Sequence, residues 1–208
     1  MKDNLRQIIK STKLPEVKDI KKLLYLEGAH NHFYTSGHVL PQQGTEYVEL
    51  RNVAFVCNAD YIIDAPEYDN LKSGEWYNVN YEPLIKWQVP KVIDKILNDT
   101  TTRQAILQFY DPDMFLDKND MICTMYVSLR FDRNDDASFL TYTVHMRSSD
   151  VREFRSDLKW HKKVMFGISQ MLAEKLDCPV WCNPIVWYAD SLQCWDKDWS
   201  YLKDNPKE

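Results

Sequence analysis

Three scarcities in this chain of 208 residues exclude broad classes of protein. Glycine occurs only five times while hydrophobic residues make up 44%, so the chain is not of the disordered, low-complexity kind. No apolar run approaches the length that crosses a bilayer. The 26 Lys and Arg residues do not outnumber the 31 Asp and Glu residues, and the net charge is −5. This balance argues against a nucleic-acid polymer as the main partner, although a single nucleotide needs only a few local arginines.

The cysteines indicate a reduced protein without a structural metal. Their number, five, is odd, and the N-terminal residues form no apolar signal segment, so we expect a cytoplasmic protein. Cys178 and Cys182 are separated by three residues, but no second Cys or His pair stands at zinc-ligand spacing. We therefore expect no metal site. The thiols are Cys57, Cys123, Cys178, Cys182 and Cys194.

We expect residues 1–208 to form a single domain, since no internal repeat or low-complexity linker interrupts the chain. Helical spacing of Lys, Ile and Leu predicts helices at Leu5–Ile9 and Val17–Leu26. The polar stretch His30–Gly44 is typical of a loop, and Asp64–Gly74 is expected to be a surface turn. The apolar run Val48–Ile63 fits either a strand or a buried helix, and periodicity does not decide between them.

The second half carries stronger patterns. Gln88–Leu97 has one apolar face and predicts a helix, whereas Arg103–Tyr110 predicts a strand. Cys123–Phe131 and Ser138–Met146 predict the two strands of a β-hairpin around a charged turn. The amphipathic stretch Ser156–Leu176 predicts a long helix with Ser156 or Asp157 as its N-cap.

The ends of the predicted hairpin bring Cys123 beside the segment Met146–Asp150, which reads Met-Arg-Ser-Ser-Asp. A thiolate is a strong nucleophile, and a nearby cation favours it. Arginine next to serine is also a common way to hold a phosphate. The pattern suggests covalent chemistry on a phosphorylated substrate. Two plainer readings stay open: Cys123 could be a buried strand cysteine, and Arg147 could simply pair with Asp150.

In their order along the chain, several short motifs resemble those of the thymidylate synthase superfamily. The resemblance is closer to its pyrimidine hydroxymethylase branch, typified by bacteriophage deoxycytidylate hydroxymethylases, and it covers roughly residues 48–199. It implies an α+β domain with a mixed sheet and flanking helices, and a homodimer formed through the sheet face. The motifs are Thr102–Leu107, Cys123–Thr124, Met146–Val151, Asp157 at the start of a long helix, and Asp190–Leu192.

The resemblance assigns roles position by position. Cys123 matches the nucleophile that adds to C6 of the pyrimidine, and Arg147 with Ser148 matches the phosphate ligands. Arg103 matches an arginine that reaches the phosphate in the partner subunit's site. Asp150 matches the carboxylate on the folate side.

Four further positions match the pattern more loosely. Asp60 matches a carboxylate that works on the base through water, and a plain surface role remains its alternative. Tyr81 matches a tyrosine that assists proton removal at C5. Gln193 and Trp195 stand where the family contacts the sugar, although packing is the alternative for Trp195.

The chemistry explains these residue types. C5 of a pyrimidine is a poor nucleophile until a thiolate adds at C6 and turns the ring into an enamine. The family takes its one-carbon unit from 5,10-methylenetetrahydrofolate, and a base then removes the C5 proton. The substrates implied are therefore a pyrimidine nucleoside monophosphate and a folate, in the cytoplasm of a host if the gene is a phage gene.

Asp157 bears on which base is bound. A carboxylate accepts hydrogen bonds unless it is protonated, so it suits the amino group of cytosine better than O4 of uracil. We therefore expect hydroxymethylation of a cytidylate, either dCMP or CMP. A deoxyuridylate-directed synthase or hydroxymethylase is the nearest alternative. Because Arg152–Ser156 departs from the family's folate-contacting stretch, a nucleotide-binding member that has lost catalysis is an alternative of another class.

Overall fold

The fold is organised by one mixed β-sheet, seen in a computed structural model that describes residues 16–17, 33–35, 46–57, 74–110, 122–133 and 137–195. In chain order the strands are β1 Glu16–Val17, β2 Phe33–Thr35, β3 Glu46–Cys57, β4 Ile106–Gln108, β5 Thr124–Arg133, β6 Ser138–Met146, β7 Ser149–Asp150, β8 Val180–Cys182 and β9 Ile185–Trp195. Within the described ranges the sheet runs β1-β3-β9-β6-β5-β4, and β2, β7 and β8 pair with β3, β9 and β6 respectively.

The last long strand, β9, lies at the centre of the sheet. It pairs antiparallel with β3, from Tyr47 opposite Trp195 to Cys57 opposite Ile185. On its other side it pairs parallel with the second half of β6, where Met146 stands opposite Ala189. The two senses of pairing make the sheet mixed, and this confirms the predicted α+β architecture.

The β5–β6 hairpin follows directly from the sequence pattern. Along β6 buried and half-buried residues alternate without a break, because apolar side chains at every second position face the core. Strand β5 pairs antiparallel with β6 and carries a register irregularity between Thr124 and Tyr126. The predicted hairpin is therefore confirmed, with strand bounds that match the prediction for β6 and differ by one or two residues for β5.

Helices cover one face of the sheet. They are α1 Gly74–Asn80, α2 Glu82–Ile85, α3 Gln88–Asn98 and α4 Phe154–Leu176. The helix predicted at Gln88–Leu97 is confirmed, and its Gln88 side chain bonds the backbone of β4 at Gln108 through both amide atoms, at 2.7 and 2.9 Å. None of the described helices combines the length and apolarity needed to cross a bilayer.

Helix α4 begins earlier than the sequence suggested, so the predicted N-cap at Ser156 or Asp157 is wrong. Glu153 occupies the N-cap position, and Asp157 lies within the first turn. The earlier start lets Phe154 bury its ring against Phe55 and Trp187, with centroids 5.8 and 4.9 Å away. Burial of a large ring outweighs the modest gain from a serine or aspartate cap.

Three other predictions need correction. Val17 belongs to β1, where it pairs with Cys57, and the remainder of the predicted helix Val17–Leu26 lies outside the described residues, as does Leu5–Ile9. Strand β2 falls inside the stretch predicted as loop, because its Phe33–Thr35 backbone pairs with β3. Strand β4 covers only three residues of the predicted Arg103–Tyr110. The apolar run Val48–Ile63, which fitted either a strand or a helix, is a strand as far as Cys57.

Candidate active site

The two ends of the hairpin place Cys123 beside Arg147. Cys123 immediately precedes β5 and Arg147 immediately follows β6, whose end residues Thr124 and Met146 are register partners. The Arg147 amide donates to the Cys123 carbonyl at 2.8 Å. The predicted proximity is confirmed, and it follows from the antiparallel pairing alone.

The thiol of Cys123 is tied to the next residue of this loop. Ser148 Oγ donates to Cys123 Sγ at 3.5 Å, and both side chains are half-buried. Arg147 is exposed beside them. A half-buried sulfur before β5 thus meets a hydroxyl donor and a guanidinium on the loop after β6, and the last two are groups that hold small anions.

Asp150 and Gln193 flank the same loop. The short strand β7 pairs parallel with β9 and sets Asp150 opposite Gln193, and the Val151 amide donates to the Gln193 carbonyl at 3.0 Å. Asp150 Oδ1 accepts the Arg152 amide at 2.9 Å, so the carboxylate also shapes the turn into α4. Trp195, two residues beyond Gln193, is only 6% exposed and packs at the end of β9.

Asp157 is buried and hydrogen-bonded to a tyrosine from α1. Tyr77 donates its phenolic proton to Asp157 Oδ1 at 2.5 Å, and each residue is 2% exposed. Burial raises the pKa of Tyr77 far above its ordinary value, and the charge of Asp157 and its hydrogen bond raise it further. The phenol therefore stays protonated and acts as a donor. Sequence reasoning missed Tyr77, since nothing local pairs it with a residue 80 positions away.

Tyr81 joins this pair to the strand that follows Cys123. Its fully buried ring lies 5.3 Å from the Tyr77 ring and 5.0 Å from that of Trp160. Its hydroxyl lies 3.4 Å from Thr124 Oγ1, and Thr124 is the residue after the thiol. These contacts run from Asp157 through Tyr77 and Tyr81 to Thr124, the residue next to Cys123 in sequence.

Behind Thr124 a buried histidine completes a polar network that sequence reasoning also missed. His161, with no exposed surface, places Nε2 3.2 Å from Thr124 Oγ1 and Nδ1 3.1 Å from the Tyr142 hydroxyl. Thr124 Oγ1 also lies 3.2 Å from the sulfur of Met146. Burial raises the pKa of Tyr142, so this phenol stays neutral. The available signal was a histidine inside the apolar face of α4, four residues after Asp157.

Arg103 lies far from this cluster within one chain. It is exposed just before β4, and Ala105 accepts the amide of Leu129 at 2.9 Å. Leu129 is six residues along the strand from Cys123, roughly 20 Å at about 3.3 Å per residue. Asp60 lies outside the described residues.

A separate cavity of about 280 Å³ opens near the opposite end of the central strand, where Lys162, Trp181 and Asn183 line it. Among the described residues, no group of three or more His, Cys, Asp or Glu side chains is placed to hold a metal ion. The cluster around Cys123 is therefore the candidate active site.

Comparison with known proteins gives a fold and no more. No family model matches the sequence, and no curated protein matches it. The crystal structure of thymidylate synthase from T4 phage is similar to it, with a TM-score of 0.60 over 92% of this chain and 82% of that one, at 14% sequence identity. The chain therefore has a thymidylate synthase-like fold.

Proposed function

We propose that this protein transfers a one-carbon unit to C5 of a pyrimidine nucleotide, and that it hydroxymethylates a cytidylate. One observation carries the proposal. In a chain with a thymidylate synthase-like fold, the Cys123 sulfur accepts a hydrogen bond from Ser148, next to the exposed Arg147. A nucleophile and a phosphate-binding pair therefore meet where the two ends of the β5–β6 hairpin lie side by side.

Cys123 acts as the nucleophile. Its sulfur adds to C6 of the pyrimidine, and the electrons of the C5–C6 double bond make C5 nucleophilic. The half-buried position of Cys123 supports this role because the sulfur is reachable without being fully solvated. Cys57 and Cys182 are less suited, since burial raises the pKa of each.

Arg147 and Ser148 hold the nucleotide phosphate. The guanidinium offers a charged donor, and the Ser148 hydroxyl already points into the loop toward sulfur. Gln193, opposite Asp150 in the sheet, is half-buried and within reach of the same loop, and we assign it to the sugar. Trp195 contributes shape to that region through its packing.

Tyr81 assists removal of the proton from C5, and Asp60 acts on the base through water. The hydroxyl of Tyr81 lies beside Thr124 and therefore one residue from the nucleophile. A tyrosine held by aromatic neighbours on several sides keeps its oxygen in a fixed position, as proton transfer requires.

The residues present fit 5,10-methylenetetrahydrofolate as the co-substrate. Asp150 is a half-buried carboxylate fixed by the Arg152 amide, and a carboxylate is the acceptor that the amino and N–H groups of a reduced pterin need. When bound, the folate supplies the one-carbon unit. The protein's part is to hold the Asp150 carboxylate next to the segment that carries Arg147 and Ser148.

Arg103 completes the site from a second subunit. Ala105, two residues after Arg103, bonds Leu129, which lies roughly 20 Å along the strand from Cys123, too far for the Arg103 side chain to span. The sheet face away from the helices offers an interface, with His145 stacked on Tyr126 at 4.1 Å and near Tyr188 at 5.4 Å. A two-fold dimer through this face would give each site the partner's arginine.

Subunit mixing tests this dimer. The Cys123→Ala and Arg103→Ala variants should each be inactive, yet statistical mixing after mild denaturation should restore about a quarter of the activity, since half of the dimers are mixed and each carries one intact site. Arg133→Ala, also exposed and on the same sheet, serves as the matched control and should stay active alone. Mixed samples that stay inactive would contradict the shared site.

Tritium release tests the activity itself. The protein is incubated with dCMP, CMP or dUMP labelled at C5, with methylenetetrahydrofolate, and the product mass is determined. We expect release from a cytidylate and a product heavier by a hydroxymethyl group, and no release from Cys123→Ala. Release from dUMP alone would favour the uridylate-directed alternative. Binding of nucleotide without release of tritium would favour a family member that has lost catalysis. The departure of Arg152–Ser156 from the family's folate-contacting stretch supports that alternative.

A further inference from the structure

We infer that Tyr77 determines which pyrimidine base the site accepts, by holding Asp157 as a hydrogen-bond acceptor. The inference rests on the proposed function, because it concerns the base-binding role of Asp157. It adds Tyr77, a residue that no sequence motif identifies. Tyr77 acts through Asp157 and is therefore a positioning residue.

The geometry fixes the phenol. The Tyr77 ring is stacked on Trp160 at 5.7 Å and 15°, and Trp76 and Tyr81 meet it at larger angles, at 5.2 and 5.3 Å. Aromatic neighbours on several sides restrict rotation of the ring, so its hydroxyl has one position. That position is 2.5 Å from Asp157 Oδ1.

The chemistry of the pair sets the direction of the hydrogen bond. The pKa of Tyr77 is raised by burial, and then by the charge and hydrogen bond of Asp157, so the phenol always donates. Asp157 then accepts, and a carboxylate can accept from more than one donor.

A base is selected by what it presents to this acceptor. The amino group of cytosine donates and is accommodated. O4 of uracil only accepts, so two acceptors would face each other. The hydrogen bond from Tyr77 holds the Asp157 carboxylate in the orientation that presents this acceptor. Removing the phenol should therefore relax the discrimination against uracil.

Calorimetric binding of dCMP and dUMP without folate tests this, using wild-type protein, Tyr77→Phe and Tyr142→Phe. Tyr142 is the matched control, since it too is a buried tyrosine with one hydrogen bond, but to His161. We expect Tyr77→Phe to lower the dCMP-to-dUMP affinity ratio about tenfold or more, as loss of a hydrogen bond to a charged group implies. Tyr142→Phe should leave the ratio unchanged while it lowers stability.

A second variant gives a readout that a merely structural role would not move. In Asp157→Asn the Tyr77 phenol should hold the amide oxygen and leave the amide N–H groups for the base. The preference should therefore invert toward dUMP.

The outcomes separate the two proposals. Wild-type protein that binds neither nucleotide overturns the proposed function and this inference with it. Wild-type protein that binds dCMP, together with a folded Tyr77→Phe variant of unchanged base preference, overturns the inference alone. If Tyr77→Phe does not fold, a failure of Asp157→Asn to invert the preference overturns it in the same way.

Discussion

Ser148 donates its hydroxyl proton to the sulfur of Cys123 at 3.5 Å, although the two residues are 25 positions apart. The contact joins the residue before β5 to the loop after β6. Any ligand that draws the Ser148 hydroxyl toward itself must also release the sulfur. Under the proposed function, phosphate binding at Ser148 and the orientation of the Cys123 sulfur are therefore linked.

Replacing Ser148 should modestly change two properties, the affinity for the nucleotide and the reactivity of the Cys123 thiol. Ser148→Ala removes one neutral donor, so we expect dCMP affinity to fall about fivefold, in line with about 1 kcal/mol for one hydrogen bond. The rate at which iodoacetamide modifies Cys123 should change as well, because the sulfur loses its partner. Calorimetry and mass spectrometry measure the two effects. Ser128→Ala, half-buried on the same strand pair, should change neither.

Removing the guanidinium should affect only ligands that carry a phosphate. Arg147→Gln is expected to weaken dCMP binding about tenfold to a hundredfold, the range for a lost charge-assisted hydrogen bond. Deoxycytidine, which lacks the phosphate, should bind the variant as well as it binds wild type. Equal losses for nucleotide and nucleoside would instead show that Arg147 supports the loop structure.

The buried histidine should matter for stability. His161→Phe leaves the hydroxyls of Thr124 and Tyr142 without this partner in a fully buried region, so we expect a loss of about 2 to 5 kcal/mol in the free energy of unfolding. Urea denaturation measures it. Lys163→Ala, exposed on the same helix, should stay within about 0.5 kcal/mol of wild type. A His161→Phe variant as stable as wild type would show that the network contributes nothing net.

Acid should destabilise the protein partly through His145. Burial lowers the pKa of His145, and the charge of Asp190 offsets this only in part. Because the folded-state pKa is depressed, the contribution to stability is complete above the unfolded value of about 6.5 and is lost as the pH falls through the folded value. Unfolding free energies over a pH series should therefore fall on acidification. The fall should be shallower in His145→Gln, and an unchanged slope would rule His145 out.

Local patterns made the hairpin and the long helix predictable. Strand β6 alternates along Ser138–Met146, and antiparallel pairing then placed Cys123 beside Arg147 without further information. The helix start was missed because it depends on Phe154 packing against Phe55, a residue about 100 positions earlier. Strands β1 and β2 are two and three residues long and owe their existence to pairing with β3, which no local signal reveals.

The supporting residues of the site were less predictable than the thiol itself. Tyr77 and Asp157 come from different helices, and His161 meets Thr124 and Tyr142 only after α4 lies across the sheet. Each of these contacts depends on tertiary packing, whereas Cys123 and Arg147 depend on one hairpin. The contacts that could be predicted from the sequence are those between residues close enough in the chain to be joined by one short loop.

The central position of β9 has a consequence for how the chain is made. Its neighbours β3 and β6 are synthesised well before it, and among the described strands only β9 joins the two parts of the sheet. On a ribosome the β5–β6 hairpin can form early, since it is local, while β3 must wait with an unpaired edge until residue 195 has emerged. We expect nascent chains that end before β9 to be the species most in need of a chaperone.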